Sequence, residues 1–471
     1  MDRPTLTAPA RPDLERAFNA AVDTLLASGV VPGRGPQDPP RYIRAGGGYP
    51  EPWTRDAAIN TLQAGALLCP EVARDTLLMV CEREPDGTLV IARDNQWWDS
   101  IIWVLGAWRY CLVTGDADLL ETALAVGLRS LTALRAARFD PHRGLFEGPA
   151  VMQDGISGYP DELVDPARAG THSFVLDHAA THRIACLSTN LVYLRAHHEL
   201  RAMADELDRL GRPSPDRATR AALGRDADAL EESIERWFWR GDTYGFLVHP
   251  DGRRDDAQEG LGLALGILAT RDDDRAAAVL AGAHRQPRGI VNLWPHVQGY
   301  DDARPGRHNA LLWPMVMGFW AQAAARTRDA VAFGQALDDI VSLVAGTDNA
   351  FYETYDAVTG AAHGGWQTGA AWASEPDQTW SATAFIGAVL EGLLGLGFTP
   401  DGLTIRPVVP PGTGPIALRG LRYRGVTLAV DIHGEGSTVR SLSLDGCPVE
   451  PGGVVVSSAA AGSAAVDVHL G

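Results

Sequence analysis

Lysine is missing from the 471 residues, and all 41 basic side chains are arginine. No lysine is therefore available for a Schiff base, for pyridoxal phosphate attachment or for a phosphate loop. Cysteine is scarce: Cys69, Cys81, Cys111, Cys186 and Cys447 form no C-x-x-C pair and follow no regular spacing. Neither a zinc ribbon nor a disulfide framework is expected, and buried free thiols are the default. Long apolar runs are missing too, since none approaches the roughly 18 residues that cross a bilayer. The first ten residues, Met1 to Ala10, hold Arg3 and two prolines but no apolar signal core, so a cytoplasmic location is expected. Positive charge is outweighed, 59 acidic residues against 41 basic ones, for a formal net charge of -18. Such a surface repels phosphate backbones and anionic lipid, which argues against nucleic-acid and membrane partners. A neutral or weakly charged small molecule fits better.

What is present is mostly helix. Apolar residues recur at three and four spacing, as in Ile101, Leu105, Trp108 and Leu112, and mark one buried face per helix. About a dozen helices are expected between Leu14 and Leu396, including Arg55 to Leu68, Trp97 to Thr114, Arg183 to Leu210, Arg217 to Trp239, Asn309 to Arg326 and Thr379 to Leu396. From Gly397 the pattern changes to short alternating runs (Leu403 to Arg406, Gly425 to Ile432, Val439 to Leu444, Gly453 to Ser457), read as a small antiparallel sheet. Two long connections, Gly144 to Ala180 and Gly346 to Gln378, are rich in glycine, aromatic and acidic residues, and loops of that length are usually functional.

Five segments could carry chemistry. Trp53, Arg55 and Asp56 cluster at a helix start, where Trp offers a flat face to a sugar ring and an Arg–Asp pair can hold vicinal hydroxyls. A capping Asp beside a core Trp explains them equally well. Trp97, Trp98, Asp99 and Trp103 follow at another helix start, where one adjacent Trp can pack inward while the other lines a cleft. The Gly144 to Glu162 loop contains Asp154, Tyr159, Asp161 and Glu162; a general acid for glycoside cleavage could sit there, with Asp154 the first choice, although Asp-Gly is more often a turn. His308 and Trp313 could line a site beside a helix that Asn309 would cap. Glu353, flanked by Tyr352 and Tyr355 and followed by Trp366, Trp372 and Trp380, is arranged as a base beside a stacked sugar would be. His178 and His182 have the i, i+4 spacing of a zinc helix without the accompanying Glu, so no metal and no organic cofactor is expected.

Taken in order, these segments resemble the six-hairpin glycosidases, and within them the clan of trehalase, processing α-glucosidase I (glycoside hydrolase family 63), mannosylglycerate hydrolase and the glucosidase domain of glycogen-debranching enzyme. The likeness is carried by GGGYPEPWTRDAAINT, DNQWWDSIIWVLGAWRYCLVTGD, RHNALLWPMVMGFW, FYETYDAVTG and QTWSATAFIGAVLEGLLGL, over about residues 45 to 410. The chain departs from the pattern at MQDGISGYP, where relatives carry Trp or Ser-Gly before the Asp, and at Ala310, where Gly is usual. The resemblance implies an (α/α)6 toroid; joined to the change of pattern at Gly397, the expected organisation is an all-α toroid over residues 1 to 397 with a small antiparallel β domain over 398 to 471. The resemblance also implies an inverting, exo-acting hydrolase of an α-linked saccharide with Glu353 as general base and Asp154 as general acid, Asp161 and Glu162 remaining alternatives. Trp53, Arg55, Asp56, Trp98 and Asp99 would hold the non-reducing sugar. A phosphorylase on the same fold and a noncatalytic saccharide-binding toroid are the rival expectations.

Overall fold

The computed structural model describes residues 3–471 apart from Arg93, Asn95 and Thr171. Twelve α-helices of seven residues or more occur among the described residues. They are α1 (Pro12–Asp23), α2 (Thr54–Asn60), α3 (Pro70–Met79), α4 (Trp103–Thr114), α5 (Ala117–Arg138), α6 (Leu187–Arg209), α7 (Arg217–Phe238), α8 (Gly260–Ala269), α9 (Asp273–Gly282), α10 (Pro314–Arg326), α11 (Ala330–Ala345) and α12 (Thr379–Gly387). The even-numbered helices form an inner circle: α2 packs on α4, α4 on α6, α6 on α8, α8 on α10, α10 on α12, and α12 returns to α2. Each odd-numbered helix packs outside an even one: α3 on α4, α5 on α6, α9 on α8 and α11 on α10, with α7 against α6 and α1 against α12. This is an (α/α)6 ring.

Composition separates the two circles. Every residue of α2 and α12 is buried, and α8 reads GLGLALGILA, apolar around its whole circumference, as a helix enclosed on all sides must be. Outer helices bury one stripe only, and four of them begin with aspartate. Asp116 accepts the amides of Asp118 and Leu119, Asp216 that of Thr219, Asp272 that of Arg275, and Asp329 those of Val331 and Ala332. Side-chain caps of this kind satisfy amides that a helix start leaves unpaired. The inner helices lack them because their first turns face the loops that build the candidate site.

Three helices start later than expected. The one expected from Trp97 passes through a turn and a 3-10 segment (Ser100–Ile102) before α4, the one expected from Arg183 begins at Leu187, and the one expected from Asn309 begins at Pro314. In the last case proline supplies the reason: it favours the first helical position and holds Trp313 extended, at φ -115 and ψ 110. Asn309 therefore does not cap α10.

The β region is larger and more mixed than the small antiparallel sheet expected. Its strands are β1 (Thr5–Thr7), β2 (Leu396–Thr399), β3 (Gly402–Ile405), β4 (Ile416–Tyr423), β5 (Gly425–His433), β6 (Val439–Leu444), β7 (Cys447–Pro448), β8 (Val454–Ser457) and β9 (Ala461–Leu470). One sheet has the order β1-β4-β5-β9-β6-β7 and a second the order β2-β3-β8. β9 runs parallel to β5, which is possible because the chain crosses over through β6 to β8 before returning beside it. β1, from the other end of the chain, completes the sheet edge against β4. Arg424, in the β4–β5 turn, donates to the Leu112 carbonyl at the end of α4 and so ties sheet to ring. No helix among the described residues is long and apolar enough to cross a membrane.

Candidate functional site

A cavity of about 340 Å3 opens at the end of the ring where the inner helices begin, and it is lined by Trp53, Arg55, Asp56, Asp154, His308, Trp313, Glu353, Trp372 and Trp380, together with Tyr49, Gln96, Phe174, Arg307 and others. Of the residues singled out from sequence, these nine converge. Trp53 and Trp372 are exposed, at 42% and 44%, whereas Trp313 and Trp380 are buried beneath the others.

Arg55 organises one wall. Its guanidinium donates to Gln96 Oε1 (2.7 Å) and Asp99 Oδ2 (3.0 Å), lies 3.6 Å from Asp154 Oδ2 and 3.9 Å from Asp56 Oδ2, and stands 5.3 Å over the Trp380 ring. One buried cation thus faces three carboxylates. Burial pushes the Asp56 carboxyl up to about 7; Arg55 opposes this, while Glu353, Asp154 and Asp99 reinforce it. Asp56 is accordingly a buried carboxyl pushed toward neutral pH.

Asp154 comes from a loop locked in an unusual conformation. Met152 has φ 63, in the left-handed region, and its amide is held by Asp99 Oδ2 at 3.2 Å. Beyond it, His308 Nε2 lies 3.1 Å from Asp154 Oδ1 and Gln96 Nε2 donates to Oδ2 at 3.3 Å. Burial acts to raise the Asp154 carboxyl, but the His308 hydrogen bond and the charges of His308, Arg55 and Arg307 outweigh it and hold the group below the usual carboxylate range. Gly155 must be glycine here, because a Cβ at that position would collide with the His308 ring and the Gln367 amide.

Glu353 occupies the other wall. Its Oε2 accepts a short hydrogen bond from Arg307 and another from the Tyr49 hydroxyl at 3.3 Å, while Arg307 also donates to the Gly364 carbonyl at 2.9 Å. The guanidinium lies 5.5 Å from both the Trp313 and Trp372 ring centres. Burial raises the Glu353 carboxyl, opposed by Arg307 and His308 and helped by Asp154.

Six residues expected to touch substrate do not line the cavity, and most of them hold parts that do. Asp99 is buried and grips Arg55 and the Met152 amide. Trp98 is fully buried, its indole donating to the Ala150 carbonyl at 2.9 Å. The Tyr159 hydroxyl accepts from the Ala150 amide and donates to the Gln153 carbonyl, so both rings brace the loop leading to Asp154. Tyr355 does the same for Glu353, accepting from the Tyr352 amide and donating to the Ala350 carbonyl. Trp366 pairs through its backbone with Arg307 and Pro305. Trp97 faces a separate cavity, with Arg138 packed 3.6 Å from its ring centre. Neither alternative acid reaches the site: Asp161 is exposed, and Glu162 is exposed and paired with Arg253 at 2.6 Å. His182 ends a 3-10 turn (Ala179–His182) and His178 precedes it, neither on an α-helix, and they bond separate backbone groups, the Asp165 amide and the Leu176 carbonyl.

Tyr49, Gln96 and Arg307 also line the cavity, although none stands out in the sequence. An arginine between glycine and histidine in a loop reads as solvated. The signal available was its place three residues ahead of the apolar stretch Ala310-Leu311-Leu312 that leads into Trp313-Pro314.

Residues 49–381 match the family model described as the mannosylglycerate hydrolase MGH1-like glycoside hydrolase domain. No curated protein matches the chain in sequence. Among solved structures, GH63 mannosylglycerate hydrolase from Thermus thermophilus in complex with glucose is similar at TM-score 0.59 and 17% identity, covering 79% of this chain and 99% of that one. The same hydrolase in complex with Tris and D-glycerate is similar at TM-score 0.56, with the same identity and coverage. A sialidase is similar at TM-score 0.68 and 15% identity over 90% of this chain, which spans 38% of the sialidase's length. At such identities the likeness is one of fold.

Proposed function

Because the chain belongs to the MGH1-like glycoside hydrolase family, within the six-hairpin glycosidases, we propose that it is an exo-acting, inverting hydrolase of a small α-linked glycoside, with Asp154 as general acid and Glu353 as general base. The observation that carries this reading is the convergence of two carboxylates, from loops far apart in sequence, on one aromatic-lined cavity. Asp154 protonates the bridging oxygen as the bond from the anomeric carbon to that oxygen breaks. Glu353 takes a proton from the water that attacks the opposite face of the same carbon. The products are the inverted sugar and the released alcohol.

The two acids stand in different surroundings, and in the free protein these run opposite to that division of labour: His308 and Arg55 hold Asp154 low, while burial raises Glu353. Glu353 bonds Arg307 and Tyr49 through Oε2, and in this reading Oε1 orients the water. Asp154 is held ionised in the free protein, so it must gain its proton as substrate enters. A sugar filling the cavity excludes water and competes for the His308 and Arg55 contacts, and burial, already the largest influence on this carboxyl, then raises it. Trp53 and Trp372, exposed at the cavity, serve as stacking faces, and Arg55 and Asp56 hold hydroxyls of the terminal sugar. A volume near 340 Å3 suits one hexose with a small aglycone, which favours action at a chain end. The substrate panel therefore starts with α-hexosides of small hydroxy acids, in line with the D-glycerate and glucose complexes of the Thermus enzyme. In this reading residues 1 to 397 are the catalytic ring and 398 to 471 the β domain, with β1 lent from the start of the chain.

A second reading makes Asp56 the proton donor, because its carboxyl already stands at about 7 in the same cavity. Hydrolysis of aryl α-glycosides and oligosaccharides, followed by NMR of the first-formed anomer, tests the main proposal. Inversion with turnover abolished in Glu353→Gln is expected. Net retention, or full activity in that variant, refutes it.

A further inference from the structure

Far from the cavity, the sequence repeats itself on two neighbouring strands: Asp431-Ile-His433 in β5 and Asp467-Val-His469 in β9. These strands run parallel and in register, so that Asp431 stands beside Asp467 and His433 beside His469. Isoleucine and valine between them point into the sheet's buried face, leaving the four polar side chains on the other. Like charges directly opposite one another on a sheet face are unfavourable, so two facing aspartates need partners. Asp431 is neutralised by Arg419 at 2.6 Å. The other three side chains are arranged around a common point.

Nε2 of His469 lies 2.8 Å from Asp467 Oδ1, and Nε2 of His433 lies 3.3 Å from Asp467 Oδ2. The two imidazoles stack at 4.7 Å with 20° between their planes, and one donor atom from each residue falls within 4.8 Å of the other two. Donors about 2.0 to 2.1 Å from a tetrahedral zinc ion stand roughly 3.3 Å apart, so small side-chain rotations close the set. All three side chains are about half exposed, which leaves them free to rotate and leaves outer positions open to water.

We propose that His433, Asp467 and His469 form a binding site for a divalent transition metal, zinc being the probe of choice, that pins β9 to β5. Two neutral imidazoles and one carboxylate suit an ion of borderline softness; magnesium and calcium, which favour oxygen donors, are poorly served. The site needs neither the ring's cavity nor its reaction.

Isothermal titration of the full chain, stripped of metal by chelator, with zinc chloride tests the proposal. One equivalent should bind to the wild-type protein, with affinity at least tenfold weaker in His433→Ala and in His469→Ala, and unchanged in His142→Ala, which removes an exposed histidine elsewhere. Far-UV circular dichroism checks that each variant keeps its fold, and His433→Gln supplies a milder replacement should alanine perturb the strand. Magnesium at the same concentration should give no binding heat. Absence of stoichiometric zinc uptake, or uptake that survives both histidine replacements, overturns the assignment.

Discussion

Replacing Asp154 by asparagine preserves the shape of the side chain and its reach to His308 and Arg55, yet removes the only proton it could give away. The side chain is 29% exposed and lies outside every helix and strand, so the variant should fold as the wild type does. General acid catalysis is worth about 10²- to 10⁴-fold, or roughly 3 to 5 kcal/mol of barrier. That whole contribution should vanish for a substrate whose leaving alcohol needs protonation. With a leaving group such as dinitrophenolate, which departs as an anion, the loss should shrink to about tenfold or less, because no proton is called for. Steady-state kcat/KM for an alkyl and a dinitrophenyl glycoside of the same sugar, measured side by side, gives the ratio. Asp56→Asn provides the contrast: a residue that holds hydroxyls should weaken both substrates alike, mainly through KM. If the two variants behave the other way round, with Asp56→Asn sensitive to the leaving group and Asp154→Asn not, then Asp56 is the donor and the assignment of Asp154 fails.

Arg307→Met strips the cation that opposes the burial of Glu353, so the Glu353 carboxyl should rise further and the acidic limb of the kcat/KM profile should move to higher pH; an unmoved limb counts against Glu353 as the base. The same change strands a buried carboxylate and should cost about 3 to 5 kcal/mol of stability at neutral pH, read from urea midpoints. Glu259, buried beneath the Asp154 loop, is pushed up to about 7 from 4.5 by burial, so its share of stability is complete below 4.5 and is lost as pH rises through 7. Glu259→Gln should therefore gain up to about 3 kcal/mol on the wild type at alkaline pH and nothing at acid pH, as urea unfolding on either side of neutrality would reveal. Gly155→Ala should lower kcat while leaving the melting temperature within a few degrees, because the added methyl strikes the His308 ring and the Gln367 amide; unchanged turnover would mean that His308 placement does not matter.

The helices were legible from their apolar spacing, and their closure into a ring from the family resemblance; the structure adds that the two circles are written differently. Aspartate followed by an amphipathic stretch announces an outer helix, as at Asp116 and Asp329, and an unbroken apolar stretch such as GLGLALGILA announces an inner one. The strands were less so. β9 begins AGSAA, poor in the branched and aromatic residues that mark strands, and only the alternation of buried Ala464, Val466, Val468 and Leu470 betrays it. β1 is three residues long, and its partner lies at the opposite end of the chain, beyond the reach of any local pattern. Within the site, residue type pointed to the right neighbourhood but not to the right face. Trp98, Tyr159 and Tyr355 sit outside the helices, where no periodicity tells inward from outward, and each turned to brace backbone instead of facing the cavity. Arg307 was invisible for the converse reason: what makes it matter is a carboxylate 46 positions away.

The meeting of α12 with α2, and of β1 with β4, sets an order of assembly. Neighbouring hairpins can dock as they emerge from the ribosome, since each finds its partner nearby. The circle itself stays open until the last inner helix arrives, and the first strand must wait longer still for the edge it pairs with. Contacts so distant along the chain are slow to form, which makes closure the late step of folding. Until then Arg55 and Glu353, brought by opposite ends of that seam, have no common chamber to share.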